Sequence, residues 1–290
     1  MGELDGRTAI VTGGASGFGE ATSRAMVAEG ARVVIADVQR ERADALAAEL
    51  GDQALSVRVD VTNEDDVSGV VDLVVQRWGR LDCMFNNAGI VGAVGPIDEM
   101  PTDEWQFTMD VLLKSVFLGS KHAARVMKPQ GFGVILATSS IAGVQGGLGP
   151  HPYNMAKTAI IGFTKNLAAE LGPFGVRACG IAPGKHNTPM NADLIYGDPS
   201  ATDRALDYFT NRATPLKGRP GLAADIAEAA VWLCSDRAGF VSGHTLVVDG
   251  GLTSGSREGA EPGQGRFGHH EPLVREAGRR GLDPDPATTT

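Results

Sequence analysis

A chain of 290 residues, 42% hydrophobic and 21% charged, sits close to globular averages, which excludes bulk disorder and fibrous repeats and leaves room for one large core. Its formal net charge of -9 excludes a surface built to release counterions from a phosphate backbone, so no nucleic-acid partner is expected. The opening MGELDGRTAIVTGG lacks a basic n-region and a long apolar run, and no stretch of about 20 apolar residues occurs, so neither secretion nor membrane spanning is expected.

The first strand, 8–11, runs into Thr12-Gly13-Gly14-Ala15-Ser16-Gly17-Phe18-Gly19 and then a helix over 18–29. Strand, glycine-rich turn and helix start make a phosphate site, because glycine lets the backbone approach closely and the free helix N–H groups face the anion. The next strand, 32–36, ends at Asp37, about 20 residues beyond the glycines. A carboxylate there can accept both hydroxyls of an adenosine ribose and repels a 2′-phosphate, so NAD is favoured over NADP. Asp37 could instead cap the helix starting near Gln39, and Arg40 and Arg42 soften the discrimination.

Further strands are expected at 54–59, 83–86, 134–138, 177–181 and 245–248, with helices at 40–50, 64–78, 103–127, 152–172 and 223–235. The alternation predicts a single-domain α/β fold, a doubly wound seven-stranded parallel sheet with helices on both faces. Residues 1–254 form the dinucleotide-binding catalytic domain, with 188–219 as a substrate-covering segment, and 255–290 is a tail rich in Gly, Pro and Arg. Cys83, Cys179 and Cys234 are odd in number and set in apolar stretches, so reduced core thiols in a cytoplasmic chain are expected rather than a disulfide framework or a metal site.

Tyr153 and Lys157 are four apart on a predicted helix, so their side chains leave one face. A phenol titrates near 10, and a neighbouring ammonium stabilises its anion toward neutral pH, which makes a usable acid/base. Ser140, after the 134–138 strand, can hydrogen-bond a carbonyl or alcohol oxygen and hold it against Tyr153. Singly, each has a plain alternative: core edge, solvated charge, turn residue.

The chain resembles the short-chain dehydrogenase/reductase family over residues 4–253. The resemblance rests on TGGASGFG at 12–19, Asp37, Asp60-Val61, NNAG at 86–89, Ser140 with YNMAK at 153–157, PGKHNT at 183–188 and VVDGG at 247–251. It implies a Rossmann-type fold and an alcohol dehydrogenase with Ser140, Tyr153 and Lys157 catalytic. The cofactor contacts it implies run over Gly13, Ser16, Gly17, Phe18, Gly19, Asp37 and Val38. Asp60 and Val61 flank the adenine, and Asn87, Ala88 and Gly89 support the cofactor. Tyr153 and Lys157 face the nicotinamide ribose, and Pro183, Gly184, His186 and Thr188 lie along the carboxamide. A homodimer or homotetramer built on the 103–127 and 152–172 helices is implied too.

Two positions depart from the family pattern. Leu112 stands where an Asn usually stabilises a helix distortion whose carbonyl orders a water joined to the lysine; that carbonyl can still hold the water, so a working enzyme is expected. Lys185-His186 replaces more usual apolar residues, and His186 and His151 each read as a solvated histidine, with a pH-responsive contact to substrate or cofactor as the alternative. Met190, Leu194, Ile195, Tyr196, Leu206, Tyr208 and Phe209 give the covering segment an apolar character, with Ile141, Val144 and Leu148 as an opposite wall. The expected partner is a small hydrophobic secondary alcohol or ketone, cyclic, terpenoid, steroidal or aryl, run in the oxidative direction. The competing readings are a biosynthetic ketoreductase using the same residues in reverse and a weakly active NAD-binding regulatory protein.

Overall fold

The computed structural model describes residues 2–255. The expected tail at 255–290 therefore lies, beyond its first residue, outside the described residues. Seven strands form one sheet: β1 (Thr8–Thr12), β2 (Arg32–Asp37), β3 (Ala54–Arg58), β4 (Cys83–Asn86), β5 (Gly133–Thr138), β6 (Val176–Pro183) and β7 (Thr245–Val248). Every pairing is parallel and the order is β3-β2-β1-β4-β5-β6-β7.

The central strands are apolar on both faces, and alternate side chains feed two separate cores. Ala9, Val11, Val33 and Ile35 face α1 (Gly17–Ala28), α2 (Arg40–Leu50) and α9 (Ala223–Cys234), packing on Met26, Leu46 and Ile226. Ile10, Val34 and Met84 face the other way. They meet Val71, Leu118 and Leu167 from α3 (Glu64–Trp78), α5 (Ser115–Gln130) and α6 (His151–Leu171). The chain leaves β1 toward β2 on one side and returns through β4 on the other, so the strand order reverses there and opens a crevice at the strands' carboxyl ends.

One expectation is corrected. The helix over 103–127 is not continuous: α4 (Thr102–Met109) passes through a π turn, Asp110–Lys114, into α5. The turn forms without an Asn at position 112. The Ser115 amide bonds the Asp110 carbonyl, and Ser115 Oγ donates to the Val111 carbonyl at 2.6 Å, so a hydroxyl one turn on serves the distorted backbone. The segment 188–219 carries α7 (Pro189–Tyr196) and α8 (Thr202–Asn211). Thr188 caps α7, accepting from the Asn191 amide at 3.3 Å, and Pro189 opens it.

Cys83, Cys179 and Cys234 are buried free thiols. Among the described residues no helix is long and apolar enough to cross a membrane, and no group of three or more His, Cys, Asp or Glu side chains is placed to hold a metal ion.

Candidate active site

The β1–α1 turn opens the crevice. Gly13 has φ 60°, and a Cβ there would lie 2.8 Å from Ala88 Cα, so the turn closes on the β4 end only with glycine. Ser16 stands at the N-cap of α1 but makes no side-chain capping bond, which leaves the first amides of that helix to a ligand. Asp37, 4% exposed, pins the turn: Oδ2 accepts from the Ala15 amide at 3.0 Å and Oδ1 from the Gln39 amide at 2.9 Å. Asp37 does not cap α2, whose N-cap is Gln39 with no side-chain capping bond; it closes the turn before that helix, and each oxygen keeps a second lone pair for a ligand. Asp60 Oδ1 accepts from the Thr62 hydroxyl at 2.7 Å and the Thr62 amide at 2.9 Å. Those bonds, the hydroxyl's first, hold its carboxyl below the usual aspartate value.

Asn87 locks the strand ends together. Its Nδ2 donates to the Thr12 carbonyl at 3.0 Å and its Oδ1 accepts from Thr138 Oγ1 at 3.1 Å. The resulting cleft has a volume of about 410 Å³. Gly13, Ser16, Gly17, Phe18, Asp37, Val38, Asp60, Val61, Asn87, Ala88, Gly89, Tyr153, Lys157 and Thr188 line it. Uncapped helix amides at one end and the buried Asp37 carboxylate along the wall fit a dinucleotide's pyrophosphate and ribose hydroxyls.

Tyr153 and Lys157 leave the first two turns of α6 toward this cleft, the lysine Nζ 5.5 Å from the Tyr153 ring centroid. Lys157 is 3% exposed and donates to the Thr138 carbonyl at 2.7 Å. Burial drops its pKa from 10.5 to about 8. Burial also pushes the Tyr153 phenol up, against a hydrogen bond with Ser140 that pulls it down. The expected lowering of the phenol toward neutrality is therefore reversed here, because loss of solvent outweighs the favourable neighbours. Ser140 Oγ accepts from the Ala142 amide at 3.1 Å, which fixes its rotamer. A Cβ on Gly149 would sit 3.0 Å from the Tyr153 ring, so the loop before α6 hugs the phenol.

A second cavity of about 290 Å³ continues from the cleft, and Phe18, Thr138, Tyr153, Thr188 and Met190 line both. Its walls include Ser140, Ile141, Leu148, Leu194, Ile195, Tyr208 and Phe209. Val144, Tyr196 and Leu206 are not in its wall, because Val144 and Leu206 turn to solvent and Tyr196 packs over α8.

Four residues expected at the cofactor do not line the cleft. Gly19 packs under the turn, where a Cβ would collide with the Gly13 carbonyl at 1.9 Å. Pro183 and Gly184 line the second cavity instead of the cleft. His186 is a correction: it is 3% exposed rather than solvated, edge-on to Phe18 at 5.4 Å between centroids, and burial lowers its pKa. His151 is exposed. Sequence reasoning missed Thr138, whose hydroxyl holds Asn87 and whose carbonyl holds Lys157. Its place as the last residue of β5 was the available signal. Leu112 is fully buried, and a Cβ on Gly89 would lie 3.4 Å from Leu112 Cδ2 and 3.9 Å from Lys157 Nζ, so an apolar side chain helps to dry the lysine.

A parallel sheet that reverses order above such a cleft defines the class: an α/β oxidoreductase that works with a nicotinamide dinucleotide. A family model described as enoyl-(acyl carrier protein) reductase matches residues 13–253. Momilactone A synthase of Oryza sativa subsp. japonica is 44% identical over 254 residues, 87% of this chain and 91% of that one. The mitochondrial borneol dehydrogenase of Lavandula x intermedia is 42% identical over 251 residues, covering 86% and 92% of the two chains. The crystal structure of levodione reductase superposes with a TM-score of 0.80 at 33% identity, over 87% of this chain and 100% of that one. The chain belongs to the short-chain dehydrogenase/reductase family.

Proposed function

We propose that the protein transfers hydride between NAD and a hydrophobic cyclic secondary alcohol or its ketone, in the oxidative direction. The observation that carries this reading is the position of Tyr153, at the junction of the dinucleotide cleft and the apolar cavity, with Ser140 and Lys157 against it. The names of the lavender borneol dehydrogenase and of zerumbone synthase from Zingiber zerumbet, 39% identical, support a cyclic terpenoid class.

The cofactor, when bound, accepts or returns the hydride. The α1 amides hold its pyrophosphate and Asp37 accepts its ribose hydroxyls. Ser140 Oγ positions the substrate oxygen. In oxidation the Tyr153 phenolate takes the hydroxyl proton as the C–H bond delivers its electron pair, and in reduction the phenol returns that proton. The Lys157 ammonium stabilises the phenolate and orients the nicotinamide ribose. The apolar side chains Phe117 and Met155, each about half exposed on α5 and α6, suit contact with a second copy of the chain. Sedimentation as a monomer at micromolar concentration would remove that part of the reading.

Titration tests the pair. Oxidation needs the singly protonated dyad, phenolate beside ammonium, whereas reduction needs both groups protonated. The first proton leaves Lys157 near 8, because burial lowers the amine and raises the phenol. The phenol–amine pair that results and the reactive phenolate–ammonium pair hold the same number of protons, so kcat/KM for oxidation is expected to climb about tenfold per pH unit below 8 and level off above it. Reduction is expected to fall over the same range. A flat oxidation profile from pH 6 to 9 contradicts the assignment.

Cofactor choice tests Asp37. Asp37→Asn removes the charge that repels a 2′-phosphate and keeps an acceptor for one of the two backbone amides, its NH2 group facing the other. The ratio of kcat/KM for NADP to that for NAD is expected to rise at least tenfold. Wild-type preference for NADP would overturn the NAD assignment and favour a ketoreductase running in reverse.

A further inference from the structure

The second cavity is not walled by apolar groups alone. Lys185, just past the end of β6, and Tyr208 on α8 both line it. Lys185 Nζ donates to Tyr208 Oη at 3.1 Å and lies 5.8 Å from the ring centroid. Both side chains are only partly exposed. Among the described residues no carboxylate forms an ion pair with this ammonium.

A cation held against an apolar wall needs more than one neutral acceptor. An ammonium has three N–H donors and no acceptor, and the phenol oxygen engages one of them. Because Tyr208 Oη accepts from the lysine, its own O–H points away from Nζ. The pair therefore offers hydrogens and positive charge, without a matching anion, in the cavity that also holds Ser140 and Tyr153. His186, the next residue, adds no competing charge, since burial lowers its pKa and keeps it neutral at pH 7.

We propose that Lys185 and Tyr208 form a donor anchor for a second oxygen of the substrate, a ketone, lactone or carboxylate other than the oxygen that meets Tyr153. The protein then selects bifunctional substrates, hydroxy-ketones, hydroxy-lactones or hydroxy-acids, over plain hydrophobic alcohols. This inference rests on the reading of Tyr153 as the proton-transfer group. It also narrows the expected substrate, since one unpaired cation suffices to recognise an acceptor that a purely apolar wall would reject.

Two matched series of different length test it. The short one is cyclohexanol, 4-hydroxycyclohexanone and 4-hydroxycyclohexanecarboxylate; the long one is androstan-3-ol, its 17-ketone and its 17-carboxylate. In at least one series the oxygenated member is expected to exceed the parent at least tenfold in kcat/KM, carried in KM rather than kcat. Lys185→Met is expected to collapse that ratio toward one, Lys185→Arg to keep most of it, and Tyr208→Phe to reduce it by a smaller factor. Whether the ketone or the carboxylate gains more identifies the natural acceptor. Turnover of the parents with ratios near one in both series, or a ratio that survives Lys185→Met, overturns the anchor alone. No turnover of any member with NAD or NADP overturns the proposed function and the anchor with it.

Discussion

Tyr153→Phe is expected to lower kcat for alcohol oxidation about a thousandfold or more while NAD affinity, read by quenching of tryptophan fluorescence, changes only a few-fold. The phenyl ring keeps the contacts that the loop at Gly149 makes with the Tyr153 ring edge, so the cavity wall stays in place. What disappears is the one oxygen shared between cleft and cavity that can take the hydroxyl proton, and positioned proton transfer contributes about 10²–10⁴ in rate. Ser140 cannot replace it, because an unassisted hydroxyl is far too weak a base near neutral pH. Retention of a tenth of wild-type turnover would mean that another group moves the proton.

Lys157→Met combines a loss of rate with a pH-dependent change of stability. Turnover is expected to drop at least a hundredfold, since the phenolate loses its nearest cation. Stability moves in the opposite sense. The lysine titrates at about 8 in the fold against 10.5 unfolded. Below 8 both states carry the charge and the fold bears the full burial penalty of roughly 3 kcal/mol. Above 10.5 both are neutral and the penalty vanishes. Wild type should therefore gain about that much on the methionine variant between pH 8 and 10.5, as the unfolded chain alone holds the proton. The bond from Nζ to the Thr138 carbonyl, 2.7 Å long, is lost at every pH and sets only a constant offset. Denaturant unfolding of both proteins at pH 7 and pH 10 reads the difference, and a gap that does not move with pH contradicts a buried lysine of lowered pKa.

Much of this site could be read without coordinates. The sheet, its seven parallel strands and the crevice at the glycine turn follow from apolar runs of strand length alternating with helical periods, because a strand buried on both faces needs helices above and below it. Tyr153 and Lys157 were legible as partners, since a four-residue spacing on a helix puts two side chains on one face whatever surrounds them.

Other features depend on groups distant in sequence. The π turn at Asp110–Lys114 looks in the sequence like ordinary helix, and the carbonyl it frees is served by Ser115 only in the folded backbone. His186 reads as a surface histidine until α1 brings Phe18 against it.

The order of strand and helix signals, the glycine turn, the acidic end of β2 and the helical spacing of phenol and amine were determined by the sequence alone. Each rests on local geometry, the few conformations that neighbouring residues allow. Only the tertiary structure decided that burial raises the phenol and lowers the ammonium, and that Lys185 and Tyr208 meet across 23 positions. Solvent exclusion and contact across the chain arise when separate elements pack, and no local pattern carries them.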